Sequence, residues 1–195
     1  MTQLDLKPAA EQMARLLEGV RDDDLESATP CPRYCIRDLI GHVGGFALAF
    51  KAAAEKDLGD LTSRPPAVSE TVLEPGWRQR IAGDLEALSG AWQVPAAWQG
   101  MTQAGGVDLP GEIAGRVALD ELVVHGWDVA RASGQPFHCD DISVREVEAT
   151  VRQFRGGNEG DVPGLFGPIV EVPADSPPLE KLLGLTGRDP AWSPG

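Results

Sequence analysis

Glu121 and His125 stand four positions apart in "ALDELVVHGWDVARA" (Ala118 to Ala132), a stretch otherwise apolar on almost every side. At that spacing two side chains project the same way from a helix, and a carboxylate with an imidazole is a pair of potential ligands for a divalent cation. On a helical wheel at about 100° per residue, Ile113, Val117, Val124 and Trp127 form one apolar group, Leu119, Val123 and Ala130 a second, and Leu122 and Val129 a third. The remaining sector holds Ala114, Glu121, His125, Asp128 and Ala132, with Ala118 at its edge. Polar groups in a row of small side chains make the shape of a pocket wall, where each must find a partner. A Glu-His surface pair on a half-exposed helix is the plainer reading of the spacing, and the wheel argues against it. Asp128, one turn from His125, is placed to accept from the free ring nitrogen of a metal-bound histidine; a helix-capping aspartate, or one paired with Arg131, is the alternative. Arg116 and Arg131 read as solvated salt-bridge partners, with contact to an anionic substrate as the alternative; Trp127 reads as packing, and His138, in a Gly/Pro-flanked loop, as exposed.

The elements that must position these residues follow from hydrophobic periodicity. Leu6, Ala9, Met13, Leu16, Leu17 and Val20 predict a first amphipathic helix, closed by the turn chemistry of "RDDDLESATPCPRY". From Cys35 to about Lys56, Ile36, Leu39, Ile40, Val43, Phe46, Ala47 and Phe50 predict a second. His42 lies on the flank of its stripe, beside Phe46 and Ala49, where a histidine in isolation is more often a core residue than a ligand. Gly44-Gly45 inside it costs about 1 kcal/mol per glycine relative to alanine, which suggests close approach by another backbone or a ligand, with a plain packing glycine as the alternative. Trp77 to Trp92 gives a third helix through Ile81, Leu85 and Leu88; about Glu112 to Ser133 gives the fourth, ended by Gly134 and Pro136. A fifth, capped by Asp141 or Ser143, carries Val144, Val147, Val151 and Phe154. The connections at residues 57–76 and 94–111 are long and read as irregular. The tail offers one short strand-like piece and one short helix around Leu179 to Leu183. Four or five helices without convincing strand pairs read as an all-α bundle, with residues 1–160 as the bundle and 161–195 as a tail packed on it.

The chain has 195 residues, enough for one domain with a substantial core. Its 30 acidic against 17 basic residues give a net charge of -13, which repels nucleic acid and anionic membrane. Neither a secretory signal nor a membrane-spanning apolar run is visible. With three cysteines, Cys31, Cys35 and Cys139, a reducing cytoplasm is the expected compartment.

"TPCPRYCIRDLIGHVGG" and "ALDELVVHGWDVARASGQP" resemble signatures of the actinobacterial mycothiol-dependent maleylpyruvate isomerase-like family, whose members share a DinB-like metal-binding bundle fold; "PPLEKLLGLTGRDPAW" is similar to that family's usual ending. Together the three signatures span nearly the whole chain. The resemblance implies a DinB-like four-helix bundle with long crossover loops and a short irregular C-terminal tail. It also implies a divalent ion, commonly zinc, held by a histidine of the second helix and the Glu and His of the fourth: here His42, Glu121 and His125. Three such ligands leave a coordination position open, the pattern of a catalytic zinc site. Mycothiol is the implied cosubstrate. The sequence departs from the family pattern at Arg33 and Tyr34, where the usual aromatic follows "TPCP", and at Cys35, which replaces a small polar residue. Cys31 and Cys35, C-x3-C, could with Cys139 and His138 make a separate zinc site, although buried reduced cysteines are the default. Full-length isomerases of the family carry a further C-terminal domain that supplies part of the active site and has no counterpart in this sequence.

The expected function is therefore that of a metal- and thiol-dependent transferase or isomerase, with a small-molecule thiol and a small electrophile as partners. Its catalytic residues are unassigned, because a thiol substrate can itself be the nucleophile. Two other readings stay open: a non-catalytic metal- or ligand-binding module, and a metal-dependent hydrolase using zinc-bound hydroxide.

Overall fold

The computed structural model describes residues 4–64 and 72–194, so residues 65–71 of the connection between the second and third helices lie outside it. Six α-helices follow in order: α1 (Lys7–Gly19), α2 (Ile36–Glu55), α3 (Trp77–Ala91), α4 (Gly111–Ala132), α5 (Asp141–Arg155) and α6 (Pro178–Leu185). Each lies within a few residues of its sequence expectation.

The core is the shared interior of α1 to α5. Ile36, Leu39, Ile40, Val43 and Phe46 of α2 meet Ile81, Leu85 and Leu88 of α3, together with Ala114, Ala118, Leu119 and Leu122 of α4. Gly44 lets α3 approach closely, since a Cβ there would lie 3.3 Å from Ile81 Cδ1. Close packing against the Ile81 side chain is thus one reason for that glycine. Gly115 is tighter still: a Cβ would meet the Trp98 ring at 2.6 Å and the Trp92 ring at 2.9 Å, so the two indoles pack directly on the α4 backbone. On α5, Val144, Val147 and Val151 are buried as expected, but Phe154 stays 38% exposed. Arg155 turns inward instead and donates to the carbonyls of Leu185, Asn158, Gly160 and Gly167, fastening the C-terminal segment to the bundle.

Two elements differ from the sequence expectation. The stretch before α4, read as irregular, contains an antiparallel hairpin of β1 (Met101–Ala104) and β2 (Val107–Pro110). Its two-residue loop, Gly105-Gly106, has φ of 59° and 81°, and two consecutive positive φ angles make the turn that matches strand twist. Four-residue strands with little alternation hid it. Thr102 donates to the Ala53 carbonyl at 2.6 Å, which ties the hairpin to the end of α2 just before the chain enters α4. The helices α2 and α4 consequently run antiparallel, and the second turn of α2 lies beside the middle of α4. In the tail, the strand-like piece forms no strand; a single bridge, Val162 to Phe166, stands near it.

Candidate metal centre

Local chemistry at the start of α2 sets the first side of the site. Thr29 accepts from the Cys31 amide at 3.2 Å and donates to the Tyr34 carbonyl at 2.8 Å, forming a compact turn. Cys35 is the residue before the helix: its side chain faces the amide of Asp38 while Asp38 accepts from the Cys35 amide, a reciprocal cap. The unexpected cysteine thus has a structural task. Its thiol lies 3.1 Å from Asp38 Oδ2, and all three cysteines are free. The separate cysteine zinc site does not form: among the described residues only one group of three His, Cys, Asp or Glu side chains converges.

That group is His42, Glu121 and His125, with one donor atom from each lying within 4.8 Å of the others. Glu121 Oε2 is shared by two imidazoles, His42 Nε2 at 3.0 Å and His125 Nε2 at 3.3 Å. The rings are nearly perpendicular, with centroids 4.9 Å apart. Both histidines are buried, whereas the Glu121 side chain keeps 24% exposure, so the cluster is reached from the carboxylate side. The small residues of the same α4 sector, Ala114, Ala118 and Ala132, are buried too. Two imidazole nitrogens and a carboxylate oxygen on two rigid helices fit the donor set of a zinc site with an open position.

The two histidines are held differently. His125 Nδ1 lies 2.9 Å from Asp128 Oδ2, the orientation expected behind a metal-bound imidazole. Asp128 is completely buried and pairs with Arg188 at 2.9 Å, not with Arg131. His42 Nδ1 is buried without a partner; rings hold it instead, Tyr34 stacked at 5.3 Å and Phe46 edge-on at 5.6 Å. Arg116 pairs with Glu112 and Glu146, as a surface residue would. Trp127 is buried, and His138 is exposed. His138 borders a cleft of about 390 Å³ between α1 and the α4–α5 connection, which contains none of the three convergent residues.

The electrostatics follow from this packing. Burial alone would raise the Glu121 carboxyl, but hydrogen bonds from His125 and His42 outweigh it and hold the group well below the usual carboxylate range. Burial would likewise disfavour a charged His125; Asp128 and Glu121 reverse that and raise it to about 10. Glu121 is thus placed to accept from both imidazole Nε2 atoms, and His125 is the ring held toward its charged form. Asp120 is the exception. Burial and the Glu121 charge push it up to about 7, and its Oδ1 is buried without a partner.

Neither Asp120 nor Arg188 carries a role in the sequence reading. Asp120 lies outside the polar sector of the wheel, and Arg188 is 60 residues from the carboxylate it grips. Its one signal is that it falls inside the tail signature "GRDP".

Comparison with known proteins follows the same lines. The profile of the family described as "Mycothiol maleylpyruvate isomerase N-terminal domain" matches residues 6–130. Two uncharacterized proteins of Mycobacterium tuberculosis, from strains CDC 1551 / Oshkosh and H37Rv, are each 31% identical over 191 residues, 92% of this chain and 93% of theirs. Among solved structures, the mycothiol-dependent maleylpyruvate isomerase superposes with a TM-score of 0.62 at 19% identity, covering 80% of this chain and 71% of that one. A point mutant of that enzyme also has a TM-score of 0.62, at 17% identity, covering 80% of this chain and 70% of its own. At these identities the structural likeness is one of fold.

Proposed function

This chain belongs to the mycothiol maleylpyruvate isomerase N-terminal domain family, and from that premise we propose that it binds a divalent metal ion, zinc by its donor set, through His42, Glu121 and His125. We propose further that it uses the site as a thiol-dependent transferase or isomerase acting on a small electrophile, with a mycothiol-type thiol as cosubstrate. The observation that carries this reading is the convergence of three donor atoms within 4.8 Å on two packed helices. When bound, such an ion supplies Lewis acidity that lowers the pKa of a thiol reaching its open position.

The chain's own residues supply the rest. His42 and His125 present Nε2 from opposite helices, and Glu121 contributes the one charged oxygen between them. A bound cation would be held by the two Nε2 lone pairs and a Glu121 oxygen, so these groups would serve it in their deprotonated forms. Tyr34 and Phe46 shield the His42 ring from water, and burial keeps the Tyr34 phenol protonated, its pKa raised, as a neutral wall beside the cluster. The partly exposed edge of Glu121 leaves a small molecule a route inward. A net charge of -13 disfavours polyanions as substrates. Among the described residues no helix is long and apolar enough to cross a membrane.

Metal analysis of the purified protein, followed by calorimetric titration of the zinc-loaded form with a low-molecular-weight thiol, tests the proposal. Saturable thiol binding with proton release is expected, and both metal and thiol binding should vanish in Glu121→Ala. Protein that takes up no zinc overturns the metal assignment. Zinc-loaded protein indifferent to millimolar thiol overturns the thiol assignment and leaves the hydrolase or binding-module reading.

A further inference from the structure

Arg188 reaches the centre of the bundle through a helix ending. The helix α6 closes with Gly187 at φ 81°, the Gly187 amide donating to the Gly184 carbonyl at 3.1 Å and the Arg188 amide to that of Leu183 at 3.0 Å. This paired arrangement needs a left-handed residue just past the helix. A Cβ on Gly187 would lie 2.9 Å from the Gly167 Cα, so the turn is pressed against the preceding tail segment. Arg188 leaves the turn pointing inward and keeps only 6% exposure.

There the guanidinium grips both oxygens of Asp128, Nε donating to Oδ1 at 3.3 Å and Nη2 to Oδ2 at 2.9 Å, while Nη1 donates to the Thr186 carbonyl at 3.0 Å. A two-pronged grip fixes the plane of a carboxylate as well as its place. The oxygen that faces Nη2 is also the one that faces His125 Nδ1 at 2.9 Å. If His125 uses its Nε2 lone pair toward a cation, its proton must reside on Nδ1, and the ring is then aimed by whatever accepts that proton. Asp128 is that acceptor, and nothing but Arg188 and His125 contacts it through a hydrogen bond among the described residues.

We infer that Arg188 is a positioning residue of the metal centre: by locking the Asp128 carboxylate it fixes the His125 ring with Nε2 toward Glu121 and His42, and it makes the C-terminal segment part of the site. The inference rests on the metal reading above. A second arginine supplies an internal control, because Arg131 also ties the tail to α4, donating to the carbonyls of Pro190 at 3.3 Å and Trp192 at 2.5 Å without touching Asp128 or the triad.

The experiment compares Arg188→Gln, Arg188→Lys and Arg131→Ala in the full chain, with zinc affinity measured by chelator competition and folding checked by circular dichroism. Arg188→Gln should weaken zinc binding by about 10- to 100-fold, the range for removing a group behind a metal ligand. Arg188→Lys should recover part of that loss, and Arg131→Ala should bind zinc like the wild type while melting at a lower temperature. In the metal-free proteins, proton–nitrogen spectra of the imidazoles should show the His125 Nδ1 proton slow to exchange and shifted by its bond to Asp128 in the wild type, and exchange-broadened in Arg188→Gln. That readout needs no metal. Folded Arg188→Gln with wild-type zinc affinity and an unchanged His125 signal overturns the inference; so does an equal loss of affinity in Arg131→Ala, which would mean that tail docking in general is what matters. Should Arg188→Gln not fold, Arg188→Lys, which keeps the charge without the fork, is read by the same criteria. If the wild type takes up no zinc, the metal reading fails, and the imidazole spectrum alone decides whether Arg188 positions His125.

Discussion

Tyr34 stacks on His42, with ring centroids 5.3 Å apart and planes inclined by 28°. His42 Nδ1 meets no hydrogen-bond acceptor among the described residues, so the ring is held by the Tyr34 face and the Phe46 edge instead. One imidazole of the triad is therefore aimed by an aromatic face and the other, His125, by a carboxylate. Tyr34→Leu should weaken zinc binding by about 2- to 10-fold, equivalent to the 0.5–1.5 kcal/mol of an aromatic pair, whereas Tyr34→Phe should match the wild type. Chelator competition checks both, and an equal loss in the two would assign the effect to the phenol hydroxyl.

The histidines of α4 and of the following loop separate cleanly. His125→Ala should remove zinc binding at micromolar concentrations, since it takes one of only three donors from the cluster. His138→Ala should leave it unchanged, because His138 is exposed beside a different cleft. Metal content after dialysis distinguishes them, and loss in both variants would show that the triad is the wrong set.

Asp140, and neither Asp141 nor Ser143, caps α5. Its Oδ1 accepts from the amides of Ile142 at 3.0 Å and Ser143 at 2.9 Å. Burial, the largest single effect, pushes its carboxyl up, but the Ser143 hydroxyl and these amides together outweigh it and hold it below the ordinary value. A carboxyl with a depressed folded pKa contributes stability above its unfolded value, about 3.9, and loses that contribution as pH falls through the folded one. Asp140→Ala should therefore cost about 1 kcal/mol at neutral pH, and the gap should close in acid. Urea melts at pH 7 and pH 3 provide the measurement; a gap independent of pH would exclude the cap as its source.

Gly187 is the hinge of the tail on which Arg188 depends. Gly187→Ala should destabilise the protein by at least about 1–2 kcal/mol, the penalty for a left-handed alanine, because its Cβ also meets Gly167. A similar change at Gly134, also left-handed but with open space around it, should cost only the conformational part. Thermal melts of the two variants compare the terms directly.

The sequence alone determined the helices and one side of the site. The runs of α1, α2, α4 and α5 were legible because burial of one helix face imposes a short, repeating spacing on apolar residues, and Glu121, His125 and Asp128 share one α4 sector for the same reason. A family resemblance, and not spacing, paired His42 with them. The tertiary structure decided what no local pattern encodes. It placed the Gly105-Gly106 hairpin against Ala53, made Cys35 a helix cap, and gave Asp128 its partner in Arg188 in place of the nearer Arg131. A periodicity reports which face of an element is buried, but it carries no record of which distant segment covers that face. The grip on Asp128 exists only because the tail, fastened by Arg155 and turned at Gly187, folds back over α4 and delivers a guanidinium from 60 residues away.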